Sequence, residues 1–383
     1  MADDGRCYLD NNATTPVRPE VRAAMLDVWS RVGNASSVHS EGREARRRVE
    51  SARDILAETC GAEAKNIVFT GSGTEANNYV LSPSFSVFGK RVVNRLLVNA
   101  TEHASVLQGH RFAPGAVQLI PVNSNGLVDA EELARRLKTA DGAALVSVQV
   151  ANNETGVLQP VAEIARVVHE HGGFLHCDAV QALGKVPLDI HALGADVLTV
   201  SAHKTGGPQG VGAVIWASPD FSVEEKLIRG GGQERGSRAG TEDVAGIVGF
   251  GVALTLMRRH FAEECARIEA LKRQCEAAVR EAVPDCLILC ESAPRVVNTF
   301  AFMVPGRKAE TLTIAFDLAG VALSAGAACT SGKVGQSHVV AAMGLPQRFG
   351  ASALRVSLGW STAEEDVRRF ASACQSVLSP SRR

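Results

Sequence analysis

Short apolar runs alternate with amphipathic segments along roughly the first 255 residues of the chain. The apolar runs are rich in β-branched side chains and end in polar or glycine-containing turns, which is typical of buried strands. Alternation of this kind favours a mainly parallel sheet with helices on both faces. The pattern predicts strands at 67–70, 96–100, 145–150, 174–177 and 197–201, and helices at 18–29, 43–60, 130–137 and 161–171.

The pattern of apolar and charged residues changes after about residue 255. A long charged segment predicts a helix at 256–283, apolar runs predict strands at 296–302 and 353–358, and a last helix begins near Thr362. We therefore predict a large domain at 15–255 and a smaller α+β domain built from 1–14 and 256–383. No serine- or glycine-rich linker separates them, so the two domains are expected to pack together. The stretch 81–95 has no clear pattern.

Composition narrows the class of protein. With 383 residues and 45% hydrophobic side chains, the chain can bury a large core. Forty basic and 41 acidic residues give a net charge of −1, so no overall field attracts nucleic acid. The basic run at 43–48 is interspersed with glutamate and predicts a solvated helix face. No membrane-spanning helix is expected, and 246–257 reads as a buried helix.

The cysteines and the first residues bear on the compartment. Nine cysteines without a Cys-x-x-Cys pair do not resemble a disulfide framework or a zinc site. The acidic start of the chain lacks the apolar centre of a secretory signal. We therefore expect a reducing, cytoplasmic setting.

The strand predicted at 197–201 leads directly to Lys204. The lysine is followed by a loop of small and flexible residues, Thr205-Gly-Gly-Pro-Gln-Gly210. Ligands of open α/β folds bind at the carboxyl ends of the strands, where this lysine lies. A partly desolvated lysine can form a Schiff base with an aldehyde cofactor. The alternative is an ordinary surface lysine at the end of a strand.

Other strand ends also carry polar groups. Gly71-Ser-Gly-Thr-Glu-Ala-Asn-Asn78 follows the strand at 67–70, and Thr74 could cap a helix beginning near Glu75 while the turn holds a phosphate. His103 could stack on an aromatic cofactor and move protons, or be an ordinary hydrogen-bonded histidine. Asn153 could donate to a ring hydroxyl or bind a substrate carboxylate, or belong to a polar turn.

The run His176-Cys-Asp178-Ala-Val-Gln181 follows the strand at 174–177. Neighbouring strand residues point to opposite faces, so at most His176 and Asp178 could share a metal ion. No partner cluster stands at ligand spacing elsewhere, and no metal site is predicted. A carboxylate at this edge suits a pyridinium nitrogen better, because it would hold the nitrogen in its protonated form.

Together these motifs resemble the pyridoxal-phosphate (PLP) enzymes of the aspartate-aminotransferase fold type, fold type I, and within them the cysteine desulfurases. The resemblance runs from Tyr8-Leu-Asp-Asn-Asn-Ala-Thr-Thr-Pro16 to Leu354-Arg355-Val-Ser-Leu358. It implies that Lys204 holds PLP through a Schiff base, that Asp178 pairs with the ring nitrogen and that His103 stacks on the ring. The resemblance further implies that Gln181 and Asn153 flank the ring oxygen, that the phosphate is bound by Gly73, Thr74, Ser201 and His203, and that Thr241 reaches in from the other subunit of a homodimer.

The resemblance also assigns two residues near the end of the chain. Arg355 corresponds to the arginine that grips the substrate carboxylate, for which its planar fork is suited. Cys329, in Ser324-Ala-Gly-Ala-Ala-Cys329-Thr-Ser-Gly332, falls in the position of the nucleophile. Ala325, Ala327 and Trp360 depart from the family pattern without touching these roles. Arg355 follows Cys329 by 26 positions, a separation that resembles the longer-loop class of desulfurases.

The implied activity is conversion of L-cysteine to L-alanine, with Lys204 as the base at Cα and Cys329 as the group that receives sulfur as a persulfide. His103 is expected to take part in the catalysis. A sulfur-acceptor or iron–sulfur scaffold protein would then take the sulfur by thiol exchange. Two other functions stay open, a selenocysteine lyase on the same scaffold and a PLP-fold protein that serves mainly as a scaffold for sulfur carriers.

Overall fold

The computed structural model of the protein describes residues 5–138, 142–326, 337–345 and 353–378. The helices are α1 (Pro19–Trp29), α2 (Ser40–Cys60), α3 (Gly73–Val80), α4 (Ala104–Leu107), α5 (Ala130–Lys138), α6 (Val161–Glu170), α7 (Ile190–Leu193), α8 (Val244–Ala282), α9 (Ala309–Leu318), α10 (His338–Ala342) and α11 (Glu364–Leu378). The strands are β1 (Cys7–Tyr8), β2 (Ile67–Thr70), β3 (Phe85–Val87), β4 (Lys90–Arg91), β5 (Val93–Asn99), β6 (Val117–Ile120), β7 (Ala143–Ser147), β8 (Phe174–Asp178), β9 (Val197–Ser201), β10 (Gly212–Trp216), β11 (Phe221–Val223), β12 (Leu287–Ile288), β13 (Thr299–Met303), β14 (Val321–Ala322), β15 (Ser324–Ala325) and β16 (Leu354–Ser357).

A seven-stranded sheet forms the centre of the molecule, in the order β2-β10-β9-β8-β7-β5-β6. The pairs from β9 to β6 are parallel, and β10 is antiparallel to both of its neighbours. The predicted mainly parallel α/β fold is therefore confirmed. Because β8 and β9 are neighbours and run parallel, their carboxyl ends lie side by side at one edge of the sheet.

Three further sheets contain the remaining described strands, including those of the stretch that the sequence pattern left open. The order β12-β13-β16-β15 makes a four-stranded sheet, and β1 pairs with β14. Residues of the stretch 81–95 form β3 and β4, which pair with β11 in a small antiparallel sheet before the chain enters β5. Short strands of this kind carry too few residues for a periodic pattern.

The long helix α8 joins what the sequence pattern treated as two segments. The buried segment at 246–257 and the charged helix predicted at 256–283 are one helix of 39 residues. One stretch of this helix is long and apolar enough to cross a membrane. Half of that stretch is buried inside the protein, as in an ordinary core helix.

Two cores of buried side chains flank this helix. The core around the central sheet includes Phe250, Leu254 and Met257, and a second core begins at Ile268 and Leu271. The predicted domain boundary at 255 therefore falls inside a continuous helix, and the division into two domains stays a prediction.

Candidate active site

A cavity of about 240 Å³ opens at the carboxyl ends of β8 and β9 and at the turn that precedes α3. The structure brings together in it nine residues that the sequence singled out. They are Gly73, Thr74, His103, Asn153, Asp178, Gln181, Ser201, His203 and Lys204. Ser72, Asn77, Ser105 and Gln149 line the same cavity and were not predicted.

Lys204 reaches the cavity because the strand before it ends in a tight turn. Every residue of β9 is buried, and a single turn of 3-10 helix, Ala202–Lys204, follows it. The Lys204 Nζ donates to the main-chain carbonyls of Asn12 and Ala13, at 2.7 Å for the second. The N-terminal segment is itself held in place, since the Thr15 amide donates to the His203 carbonyl over 2.9 Å. The lysine thus lies between the sheet edge and the start of the chain.

The turn after β2 forms the predicted phosphate-binding element, with one correction. The residue that caps α3 is Ser72, whose Oγ accepts from the Glu75 amide at 3.0 Å, so the prediction that Thr74 caps a helix near Glu75 is wrong. Thr74 lies inside the first helical turn, beside the amide groups that a helix leaves unpaired at its start. A Cβ at Gly73 would lie 2.9 Å from a Val180 methyl group, so the close approach of the chain here depends on glycine.

Asp178 is held as a hydrogen-bond acceptor from two sides. Its Oδ2 accepts from Asn77 Nδ2 at 2.8 Å and its Oδ1 from the Val180 amide at 2.9 Å. Asn77 also donates to Ser105 Oγ at 2.9 Å, and Thr199 donates to its Oδ1. Both donors fit the ionised form of the carboxylate, which can only accept. The signal for Asn77 in the sequence is its spacing, because it lies one helical turn after Gly73 on the face of α3 that meets the cavity.

His103 is oriented by the residue two positions later. Its Nδ1 accepts from the Ser105 amide at 3.1 Å and lies 2.8 Å from Ser105 Oγ. The neutral ring therefore carries its proton on Nε2. Since Ser105 also receives the hydrogen bond from Asn77, a chain of contacts joins Asp178 to His103 along one wall of the cavity.

His176 and His203 are kept neutral by their surroundings. His176 is fully buried between Ser147 Oγ at 2.8 Å and Thr199 Oγ1 at 3.1 Å, and burial lowers its pKa to about 3. Burial, followed by the positive charge of Lys204, lowers the pKa of His203 to about 4. In the described part of the chain no three His, Cys, Asp or Glu side chains meet as a metal-binding group.

Arg355 lies near the cavity but does not line it. It is almost fully buried on β16, where one guanidinium nitrogen pairs with Asp10 at 2.7 Å and another donates to the Asn153 carbonyl at 3.0 Å. Its Nε has no hydrogen-bond partner among the described residues. Because Asn153 does line the cavity, this contact ties the arginine to the cavity wall.

Among the other assigned residues that the structure describes, Thr241 and Trp360 do not line this cavity. Thr241 is exposed and does not line the cavity of its own chain. Cys329 and Ala327 lie outside the described residues. Trp360 donates from Nε1 to the Pro16 carbonyl at 2.8 Å and stacks against Arg18, with 5.0 Å from the guanidinium carbon to the ring centre.

The second group of residues that the sequence reasoning missed lies behind Lys204. Asn12, Lys185 and Glu154 are all buried. Asn12 joins the two halves of the molecule, since its Nδ2 donates to the Asn153 carbonyl at 3.1 Å and to Thr299 Oγ1 at 2.9 Å. Only the sequence position of Asn12 within the motif 8–16 could have drawn attention to it.

Glu154 has an unusual carboxyl group. Burial raises its pKa to about 7, although the hydrogen bond from Ser337 and the charge of Arg355 act in the opposite direction. Ser337 Oγ lies 2.7 Å from Glu154 Oε2. This carboxyl therefore changes its charge near neutral pH.

The residues that line the cavity match the groups of the cofactor that the resemblance implies. The donor set suits PLP: a glycine-walled helix start for a phosphate, a fixed carboxylate for a ring nitrogen, an imidazole on the wall and a lysine amine. Neutral His203 keeps one N–H and one acceptor nitrogen, which also suits a phosphate oxygen or hydroxyl neighbour. The residues present therefore fit this cofactor.

Known proteins resemble the chain over almost its whole length. The aminotransferase class-V family profile matches residues 7–370. An IscS-like cysteine desulfurase of Mycobacterium tuberculosis is 38% identical over 94% of this chain and 93% of its own length. A cysteine desulfurase of Cereibacter sphaeroides is 39% identical over 94% and 92% of the two chains.

Solved structures agree with these relatives. A NifS-like protein from Rickettsia africae superposes with a TM-score of 0.87 at 34% identity, over 97% of this chain and 99% of the other. SspA in complex with cysteine gives a TM-score of 0.78 at 28% identity, over 93% of this chain and 100% of the other. The chain therefore belongs to the class-V aminotransferase family and, within it, to the cysteine desulfurases.

Proposed function

We propose that this protein is a PLP-dependent cysteine desulfurase that converts L-cysteine to L-alanine and passes the sulfur on from Cys329. The observation that carries the proposal is the meeting of Lys204, Asp178 and the turn at Gly73 in one cavity, because each supplies a different anchor for the same cofactor. The cysteine desulfurase relatives and the solved relative bound to cysteine support the choice of substrate.

Each anchor has a distinct task. Gly73, Thr74, Ser201 and His203 would hold the phosphate, Asp178 the ring nitrogen, and Lys204 the aldehyde carbon. Asn153 and Gln181 would flank the ring oxygen, with His103 against the ring face. The chemistry that PLP supplies when bound is an electron sink, which stabilises the negative charge left at Cα when its proton departs.

The residues of this chain then position the amino acid and move its protons. Arg355 binds the substrate carboxylate through its guanidinium group, and its contact with Asn153 keeps that group beside the cavity. Lys204, whose amine lies in the cavity wall, takes the proton from Cα. His103 is oriented with Nε2 protonated, so it serves as a donor on the same wall.

The sulfur transfer balances without an external oxidant or reductant. The Cys329 thiolate forms an S–S bond to the substrate sulfur as the C–S bond breaks, and the carbon left behind is protonated to give L-alanine. Cys329 and L-cysteine thus become a Cys329 persulfide and L-alanine with no atom gained or lost. A thiol of an acceptor protein takes the outer sulfur by exchange.

The setting that we propose is cytoplasmic, with iron–sulfur or other thio-cofactor assembly as the destination of the sulfur. A homodimer fits the surface of the molecule. An open apolar groove of about 570 Å³ lies next to the cavity and is lined by Val17, Met25 and Trp29, the last 64% exposed. Thr241 on an exposed loop would then complete the phosphate site of the other subunit.

The proposal is tested by a visible absorbance spectrum of the purified protein with added PLP, before and after L-cysteine, while alanine is quantified. We expect a yellow protein that releases alanine. Borohydride should fix the cofactor to Lys204, and the variant Lys204→Ala should lose this fixation. A protein that gains no chromophore with PLP would contradict the proposal, and alanine release from selenocysteine alone would favour a selenocysteine lyase.

The dimer is tested separately by light scattering at micromolar concentration. We expect twice the chain mass. A fully active monomer would contradict the shared site.

A further inference from the structure

Lys185 is a buried lysine next to the cavity with no role in the proposed reaction. It is 8% exposed, and its Nζ donates to Gln181 Oε1 at 2.6 Å and to Asn12 Oδ1 at 3.3 Å. Both partners are neutral amides. Among the described residues no carboxylate forms an ion pair with it, although a buried amine usually has one.

The hydrogen bonds around Gln181 allow only one orientation of its amide. The Asn12 main-chain carbonyl can only accept, so the Gln181 atom that lies 3.0 Å from it is the nitrogen Nε2. The Gln181 oxygen must then face Lys185, which supplies the donor it needs. Nε2 carries two hydrogens, and since Gln181 lines the cavity, one stays available there.

Lys185 also shares a partner with the central lysine. Its Nζ contacts the side-chain oxygen of Asn12, and the Nζ of Lys204 contacts the main-chain oxygen of the same residue. Burial, followed by the charges of Lys204 and Arg355, lowers the pKa of Lys185 well below its ordinary value. With two or three N–H groups, the amine retains enough donors for both contacts.

Building on the proposed function, we propose that Lys185 is a positioning residue that locks the Gln181 amide with Nε2 toward the cavity, where it donates to the ring oxygen of PLP. Without Lys185 the buried Gln181 oxygen loses the one donor that it has among the described residues, and an unpaired buried acceptor is costly. The flipped orientation of the amide then becomes more populated. In that orientation the Gln181 oxygen faces the ring oxygen, and the two acceptors repel each other.

The test is a pH titration of the visible absorbance band of the PLP-loaded protein. Replacing Lys185 by methionine keeps the length of the side chain but removes its donors. We expect the midpoint of the titration to rise by roughly one pH unit, because a donor to the ring oxygen favours the deprotonated state of the chromophore. The matched control is Lys272→Met, a second buried lysine, which donates to the Val296 carbonyl, does not line the cavity and should leave the midpoint unchanged.

Two further variants separate an effect through Gln181 from a direct effect of charge. In a Gln181→Ala background the change at Lys185 should no longer move the midpoint, since coupled residues give non-additive effects. Lys185→Gln retains a donor without the charge and should titrate close to the wild type. A full shift in Lys185→Gln, or an undiminished shift in the Gln181→Ala background, would overturn the proposal.

The titration distinguishes a failure of the Lys185 proposal from a failure of the proposed function. If the wild-type protein forms no visible band with PLP, the proposed function fails. If the band forms and Lys185→Met titrates like the wild type, only the role of Lys185 fails. Should Lys185→Met not fold, Lys185→Leu, which also lacks a donor, takes its place in both backgrounds, and a midpoint equal to that of the wild type overturns the proposal.

Discussion

Glu234 holds the loop before α8 against the strand that carries the phosphate turn, and its replacement by glutamine is the most direct test of that arrangement. Its carboxylate binds the Arg53 guanidinium through two contacts of 2.7 and 2.8 Å and accepts from the Phe69 amide at 2.9 Å. Both charged side chains are almost fully buried, at 4% and 3% exposure. Glu234 and Arg235 also hold positive φ angles of 45° and 54°, which non-glycine residues seldom adopt. The loop is therefore kept in place by this ion pair.

The loss of folding stability in Glu234→Gln depends on how well the buried Arg53 charge is still compensated. Burial acts to lower the pKa of Arg53, but the hydrogen bonds and charge of Glu234 keep it above its ordinary value, so the guanidinium stays charged. Removing one partner of a buried pair costs about 3 to 5 kcal/mol. Glu50 also contacts Arg53, at 3.2 Å, and keeps part of the compensation. We therefore expect a loss of about 3 kcal/mol.

Calorimetry at matched protein and PLP concentrations measures this loss. With an unfolding entropy of about 2.1 cal/mol/K per residue, it corresponds to a decrease in Tm of roughly 3 to 4 °C for 383 residues. The control is Glu170→Gln, which breaks the exposed pair with Arg166 on α6 and should cost less than about 1 kcal/mol. If Glu234→Gln melts within about 1 °C of this control, the reasoning from burial is refuted. We also expect weaker PLP binding, because Phe69 leads into the phosphate turn.

Four further outcomes are expected. Lys204→Ala should bind PLP without a borohydride-reducible link, as checked by mass spectrometry after reduction. Cys329→Ala should retain the chromophore while alanine release falls at least roughly a hundredfold; an added sulfur found on another cysteine in the wild type would show that the nucleophile is wrong. Arg355→Lys should raise KM for cysteine roughly tenfold or more with a smaller change in kcat, since the ammonium cannot form the bidentate contact; an unchanged KM would remove Arg355 from substrate binding. Glu154 has a pKa of about 7 in the folded protein, above its ordinary value, so its protonated form stabilises the fold by about 3 kcal/mol below about pH 4.5, and this stabilisation is lost as the pH rises to 7. Glu154→Gln should remove this pH dependence from the free energy of unfolding measured by denaturant titration at several pH values. An unchanged pH dependence would contradict the assignment.

Much of the site could be predicted from the sequence because the end of a strand can be recognised where an apolar run gives way to polar residues or glycine. Asp178, Ser201 and Lys204 each follow an apolar run at the end of a strand, and parallel strands bring such ends to one edge. His103 and Gly73 follow two other strands of the same sheet. Knowing the strands and their direction was therefore enough to expect these side chains in one cavity.

The tertiary structure decided the contacts between segments that are distant along the chain. Periodicity describes one segment at a time, so it divided α8 at the point where its surroundings change from one core to the other. The cap of α3 is Ser72 rather than Thr74, because the hydroxyl that accepts is the one whose backbone is still extended.

The same reason explains the polar residues that sequence reasoning missed. Asn12 and Lys185 are 173 positions apart. Neither residue stands out in its own segment of the sequence. Folding buries both side chains, and their polar atoms must then hydrogen-bond to other protein groups instead of water. The sequence by itself determined which groups arrive at the edge of the sheet, whereas the packing of the N-terminal segment against that edge decided how Lys204 and Gln181 are held and oriented there.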